Sequence, residues 1–210
     1  MTPTAALLAF AATALLLTLT PGLDTALVLR TSATEGLRRA LMASLGICAG
    51  CLAWGIAAAI GLGALLAASP LAYDTLRVAG ALYLFYLGAR LLWRGLRAPA
   101  AAAPTGAGAP STARAWLWRG CLSNLLNPKV GVFYLTLLPQ FIPAGVPVLG
   151  FSLLLATLHA VISMAWLTVL ALATRRLGHW LARPAVARSL DGITGALFVG
   201  VGLRLALVRP

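Results

Sequence analysis

Residues 1–23, 40–73 and 130–174 contain no Asp, Glu, Lys or Arg, and their apolar residues run on without the alternation of a half-buried strand. About 20 apolar residues carry a helix across the hydrocarbon layer. Backbone groups in lipid must be paired internally, which leaves helices or closed barrels, and long unalternating runs decide for helices. The runs and the polar breaks between them predict spans near 4–31, 40–67, 70–93, 116–139, 147–173 and 189–207. The expected fold class is all-α: a polytopic membrane protein of about six transmembrane helices, arranged as two inverted three-helix repeats with broken first and fourth helices.

Composition agrees. Of 210 residues 61% are hydrophobic and 10% charged, with a mean hydropathy of +0.95, far from the roughly one-quarter charged average of soluble domains. The net charge of +12 would point to nucleic acid in a soluble chain. Here the cations fall between apolar runs, so they signal topology and no nucleic-acid partner is expected. Arg30, Arg38 and Arg39 follow the first span; Arg94, Arg97, Arg114 and Arg119 the third; Arg175, Arg176, Arg183 and Arg188 the fifth. The connections 67–70 and 139–147 carry no cation. Cytoplasmic loops collect Lys and Arg, which sets the basic connections inside and both termini outside, with Trp93, Trp116 and Trp180 as interfacial aromatics. No basic segment precedes the first apolar run, so a cleaved signal peptide is not expected.

Residues 98–113, APAAAAPTGAGAPSTA, read as a flexible cytoplasmic linker. They separate a first three-helix half, 1–97, from a second, 114–210, within one membrane domain. Laying Pro21 on Pro128 carries 40–67 onto 147–174 and Arg38 and Arg39 onto Gly145 and Val146. A basic loop thus matches an uncharged one, as an inverted repeat requires.

The breaks carry the chemistry. Thr20-Pro21-Gly22-Leu23-Asp24 interrupts the first span, and Asn124-Leu125-Leu126-Asn127-Pro128-Lys129 the fourth. Proline removes a donor and clashes with the carbonyl four residues back. Opened backbone at membrane depth is tolerated only against protein or a watery cavity. Two such breaks at matching places point to a midplane substrate site, the alternative being packed kinks. An ion at the centre of a membrane helix costs about 2.5–3.5 kcal/mol on insertion scales, so Asp24 and Lys129 need partners: each other, a ligand or, for Asp24, a near-interface pair with Arg30 six residues on. The expected substrate-binding set is Thr20, Pro21, Gly22, Asp24, Thr25, Asn124, Asn127, Pro128 and Lys129. Helix N-termini near Gly22 to Thr25 and Lys129 to Gly131 suit a carboxylate; Asp24, Asn124, Asn127 or freed carbonyls suit an ammonium. Asp24 and His159 are the proton-coupling candidates, His159 being otherwise a hydrogen-bonded packing residue.

Other polar residues read more plainly. Asp74 and Arg77 form a helix-surface pair, and Asp191 caps or pairs beside Arg188. Cys48, Cys51 and Cys121 lie in apolar surroundings as small hydrophobes. No catalytic residue, metal site or cofactor is expected. Gly46 and Gly50 let helices approach closely, while Trp54, Trp166, Tyr83, Phe85 and Tyr86 read as packing or lipid contacts.

Pro21, Gly22 and Asp24, with Asn127, Pro128 and Lys129, resemble the paired signatures of the LysE/RhtB superfamily of amino-acid exporters. The resemblance runs through GCLSNLLNPKVGVFYLTLLPQF at 120–141, Gly46-Ile47 to Trp54, Tyr83 to Gly95, and DGITGALFVGVG at 191–202, so it covers all but the linker. Asp24, Trp54 and the 191–202 stretch are most similar to the threonine and homoserine exporter branch. Leu23 departs from the pattern, standing where a second proline is usual. The resemblance implies a secondary transporter, not an enzyme, that exports a small neutral amino acid across a bacterial inner membrane by proton antiport with alternating access. Protons and the bilayer are then its partners, and a homo-oligomer is left open. Rival classes are a membrane thiol oxidoreductase, which would need a reactive cysteine in each broken helix where Cys121 has only Ala14 at its repeat equivalent, and a passive channel or structural membrane subunit.

Overall fold

The computed structural model describes residues 2–68 and 112–174, together with isolated helical positions between 75 and 93 and between 185 and 203. The linker, most of the third and sixth spans, and Asp74, Arg77, His179, Trp180 and Asp191 lie outside the described residues. Those described form helices and no strand: α1 Pro3–Leu19, α2 Leu23–Glu35, α3 Leu37–Ala68, α4 Ala113–Leu125, α5 Pro128–Val132 and α6 Val148–Leu172. The chain is an all-helical polytopic membrane protein. α3 over Leu37–Gly61 and α6 are long and apolar enough to cross a bilayer, and α1 with α2 makes one bent span.

α1 starts where Thr2 accepts a hydrogen bond from the Ala5 N–H at 3.3 Å, ahead of Pro3 in the first turn. It stops at Thr20, before Pro21, and α2 leaves at 53°. Leu23 therefore does not abolish the first break. α2 ends at Gly36, whose φ of 89° favours glycine, and α3 begins at the next residue. The second break falls at Leu126 and Asn127, before Pro128.

Beyond it the expected continuous helix to residue 139 gives way to a short α-helix, one wider turn and one tighter turn. α5 passes into a π turn over Phe133–Leu137, with the Leu138 N–H bonded to Phe133 O, and then a 3₁₀ turn over Leu138–Phe141. Pro139 is the cause: it lacks the N–H that an α-helix would use and its ring crowds the carbonyl four residues back.

One core cluster joins Phe10, Ala14 and Leu17 of α1, Phe133, Tyr134 and Leu137 of the π turn, and Leu155 and Ala156 of α6. A second joins Val28, Ala40, Ile47, Leu167 and Leu170 from α2, α3 and α6. α3 and α4 approach to backbone contact. A Cβ at Gly46 would overlap the Leu117 carbonyl, and one at Gly120 the Ala43 carbonyl. With no hydrophobic drive between helices in lipid, such small-residue contacts are what hold them together. Trp116, expected at the interface, is buried at 8% exposure with the Arg119 guanidinium 4.5 Å above its ring, and Trp118 is the exposed neighbour.

Candidate functional site at the two helix breaks

Because Pro21 has no N–H, the carbonyl of Leu17 loses its helical donor. Lys129 supplies one from the other break: its Nζ donates to Leu17 O at 3.0 Å and to Thr20 O at 2.9 Å. A cation there also meets the negative end of α1. The matching carbonyl in the second break, that of Asn124, is satisfied locally by the Asn127 N–H at 3.1 Å.

Asp24 reaches the opposite way. It stands in the first turn of α2, where the helix dipole favours an anion. Its Oδ1 accepts from Ser123 Oγ at 2.8 Å, and its Oδ2 from Asn124 Nδ2 at 3.0 Å and Asn127 Nδ2 at 3.3 Å. The Asn127 amide is oriented by its other end, since Oδ1 caps α5 by accepting the Lys129 N–H at 3.1 Å. Asn124 Nδ2 also lies 3.6 Å from Cys51 Sγ, and its buried Oδ1 has no hydrogen-bond partner. Each break thus receives an ion from the other: among the described residues, neutral donors bind Asp24 and the Leu17 and Thr20 carbonyls bind Lys129.

Gly22, Asp24, Thr25, Asn124, Asn127 and Lys129 line one cavity, together with His159, Leu17, Thr18, Ile47 and Ser163. The cavity is partly open, with a volume of about 30 Å³.

Six of the nine expected binding residues therefore line the cavity. Thr20 contributes its carbonyl to Lys129, while Pro21 and Pro128 shape the breaks. The expectation of an open N-terminus at α5 needs correction: the N–H groups of Lys129, Val130 and Gly131 are taken by Asn127 Oδ1 and Asn127 O. At α2, by contrast, Gly22 offers no side-chain cap. His159 also lines the cavity, with Nδ1 3.0 Å from the Tyr134 hydroxyl and its ring 5.3 Å from Phe133. Cys48 donates to Ala160 O at 3.3 Å, and the three cysteines are free.

Ser123, Thr18, Ser163, Cys51 and Tyr134 were not anticipated in this place. Ser123 had a signal, adjoining Asn124 in the broken segment. The orphaned Leu17 carbonyl had one too, four residues before Pro21. The others look like ordinary packing residues until the helices are brought together.

Residues 15–209 match the family described as LysE type translocator. The chain is 35% identical over 202 residues to the homoserine/homoserine lactone efflux protein of Salmonella typhimurium, covering 96% of each chain. It is 32% identical over 195 residues to a leucine efflux protein of Enterobacter sp., covering 92% of this chain and 91% of that one. A third relative, 36% identical over 194 residues, is an uncharacterized membrane protein of Pseudomonas aeruginosa, with 90% and 88% covered. No solved structure matches the chain.

Proposed function

This chain belongs to the LysE type translocator family, and on that premise we propose that it exports a small neutral amino acid, of threonine or homoserine type, from the bacterial cytoplasm by proton antiport. The observation that carries the reading is the cavity itself, walled by a carboxylate and an ammonium, each bound to groups that a zwitterion can replace. The substrate ammonium takes the place of the amide and hydroxyl donors at Asp24. The substrate carboxylate draws Lys129 from the Leu17 and Thr20 carbonyls and meets the uncapped N-terminal turn of α2. Relatives named for the efflux of homoserine, its lactone and leucine support a cargo of this class.

Export follows by alternating access, with the halves 1–97 and 114–210 rocking about the site and 98–113 tethering them on the cytoplasmic side. Both termini face away from the cytoplasm across the inner membrane, as the basic connections favour. Ionised Asp24 binds the ammonium facing inward. A proton replaces the amino acid on the outer side, returns with Asp24, and is released inside. Reconstituted protein in vesicles carrying an imposed proton gradient tests the scheme. Asp24→Asn is expected to lose gradient-driven accumulation of threonine and homoserine; unchanged accumulation would remove Asp24 from the mechanism.

A further inference from the structure

A hydroxyl in an apolar helix ordinarily folds back on its own backbone. Thr13, Thr20, Thr31, Ser44, Thr136 and Thr157 do so, each donating to the carbonyl four residues earlier at 2.7–3.0 Å. Thr18 and Ser163 depart from this. Their hydroxyls meet each other across the α1–α6 contact at 3.4 Å, beyond the roughly 2.5–3.0 Å of a good O–H···O bond. Both line the cavity, and Ser163 is 5% exposed. A single contact uses at most one of the two O–H donors, so the pair retains a donor and several lone pairs. The same cavity is lined by Leu17, Ile47 and Leu167, and by His159 one turn before Ser163 on α6.

We propose that the Thr18–Ser163 hydroxyl pair, set at the junction of α1 and α6, reads the side-chain hydroxyl of the transported amino acid. This rests on the amino-acid export reading and assigns its side-chain specificity. A substrate hydroxyl inserted between the two oxygens both donates and accepts, replacing one long contact with two of ordinary length. An apolar side chain of the same shape leaves the two hydroxyls buried against carbon. A site built to hydrogen-bond a hydroxyl discriminates strongly against the analogue without one, whereas an apolar pocket scarcely rejects a hydroxyl.

Threonine and valine are the matched probes. Full-length protein reconstituted in vesicles is expected to transport threonine in preference to valine under direct competition. Thr18→Val and Ser163→Ala are each expected to lower the threonine-to-valine ratio by about three- to tenfold, the equivalent of one neutral hydrogen bond, and Ser163→Thr to preserve it. An unchanged ratio in both variants, including equal loss of both substrates, would overturn the assignment. A wild-type ratio near one would overturn it while leaving amino-acid export intact. Transport of neither substrate, nor of homoserine or leucine, would instead remove the export reading beneath it.

Discussion

The ammonium of Lys129 lies 3.0 Å from the carbonyl oxygen of Leu17, the acceptor that Pro21 strips of its helical donor. The proline that breaks one helix therefore creates the binding place for a cation from the other, and the two residues are energetically linked. Lys129→Met leaves the Leu17 and Thr20 carbonyls without that donor, at an expected cost of about 1–3 kcal/mol. Pro21→Ala restores an N–H to Leu17 and is expected to reduce transport by straightening the bend. In a double-mutant cycle read by unfolding in mild detergent, adding Lys129→Met to Pro21→Ala should cost at least about 1 kcal/mol less than adding it to the wild type. Strict additivity would show that the ammonium does not replace the missing donor.

Asn127 works in two directions, capping α5 with Oδ1 and donating to Asp24 with Nδ2. Aspartate is as good an N-cap as asparagine, so Asn127→Asp preserves the cap and sets a second carboxylate against the first. Two carboxylates sharing one site resist ionising together. Export should fall more than tenfold, and adding Asp24→Asn should restore thermal stability toward the wild-type value without restoring export. Equal stability of Asn127→Asp and wild type would indicate that the amide does not face the carboxylate.

The sequence carried much of this architecture through simple physical signals. Apolar runs and the breakers between them located α3 and α6 to within about four residues, because a bilayer sets a minimum apolar length. Pro21 and Pro128 located both breaks for the equally local reason that proline has no N–H. Partner choice was not local: whether Asp24 meets Lys129 or Asn124 depends on how α4 is rotated against α2. α4 is held against α3 by the contacts of Gly46 on α3 with Leu117 and of Gly120 on α4 with Ala43. Thr18 and Ser163, 145 residues apart, carried no mark distinguishing them from other helix hydroxyls. Pro139 was a readable signal for the π and 3₁₀ turns, hidden by the uniform hydropathy around it.

The α3–α4 contact has its own consequence at Gly50. A Cβ there would come within 2.7 Å of Asn124 Oδ1 and 2.8 Å of Asn124 Cβ, pushing the amide away from Asp24. Gly50→Ala is expected to lower export several-fold. Gly150→Ala is the control, since its added Cβ meets only Pro147 Cβ at 4.0 Å, and it should leave export and melting temperature near wild type. Parallel losses in the two variants would mean that a methyl group is harmful anywhere in these helices.

Asp24 and His159 face the same cavity, and separating them tests which of the two carries the proton in the proposed antiport. His159 Nδ1 is engaged by the Tyr134 hydroxyl and its ring is packed against Phe133, an arrangement suited to holding a wall in place. Among the described residues, Asp24 is bound through hydroxyl and amide groups that an incoming ammonium or proton can displace. If Asp24 carries the proton, Asp24→Asn should abolish accumulation against a gradient and weaken exchange of internal for external amino acid without abolishing it, because the amide oxygen still accepts from the ammonium and exchange needs no net proton movement. His159→Gln should slow both processes together, keeping their ratio, and Tyr134→Phe should do the same more mildly. The check is accumulation and exchange assayed side by side in the same vesicles at several external pH values. Loss of accumulation with retained exchange in His159→Gln, and not in Asp24→Asn, would transfer the coupling role to the histidine.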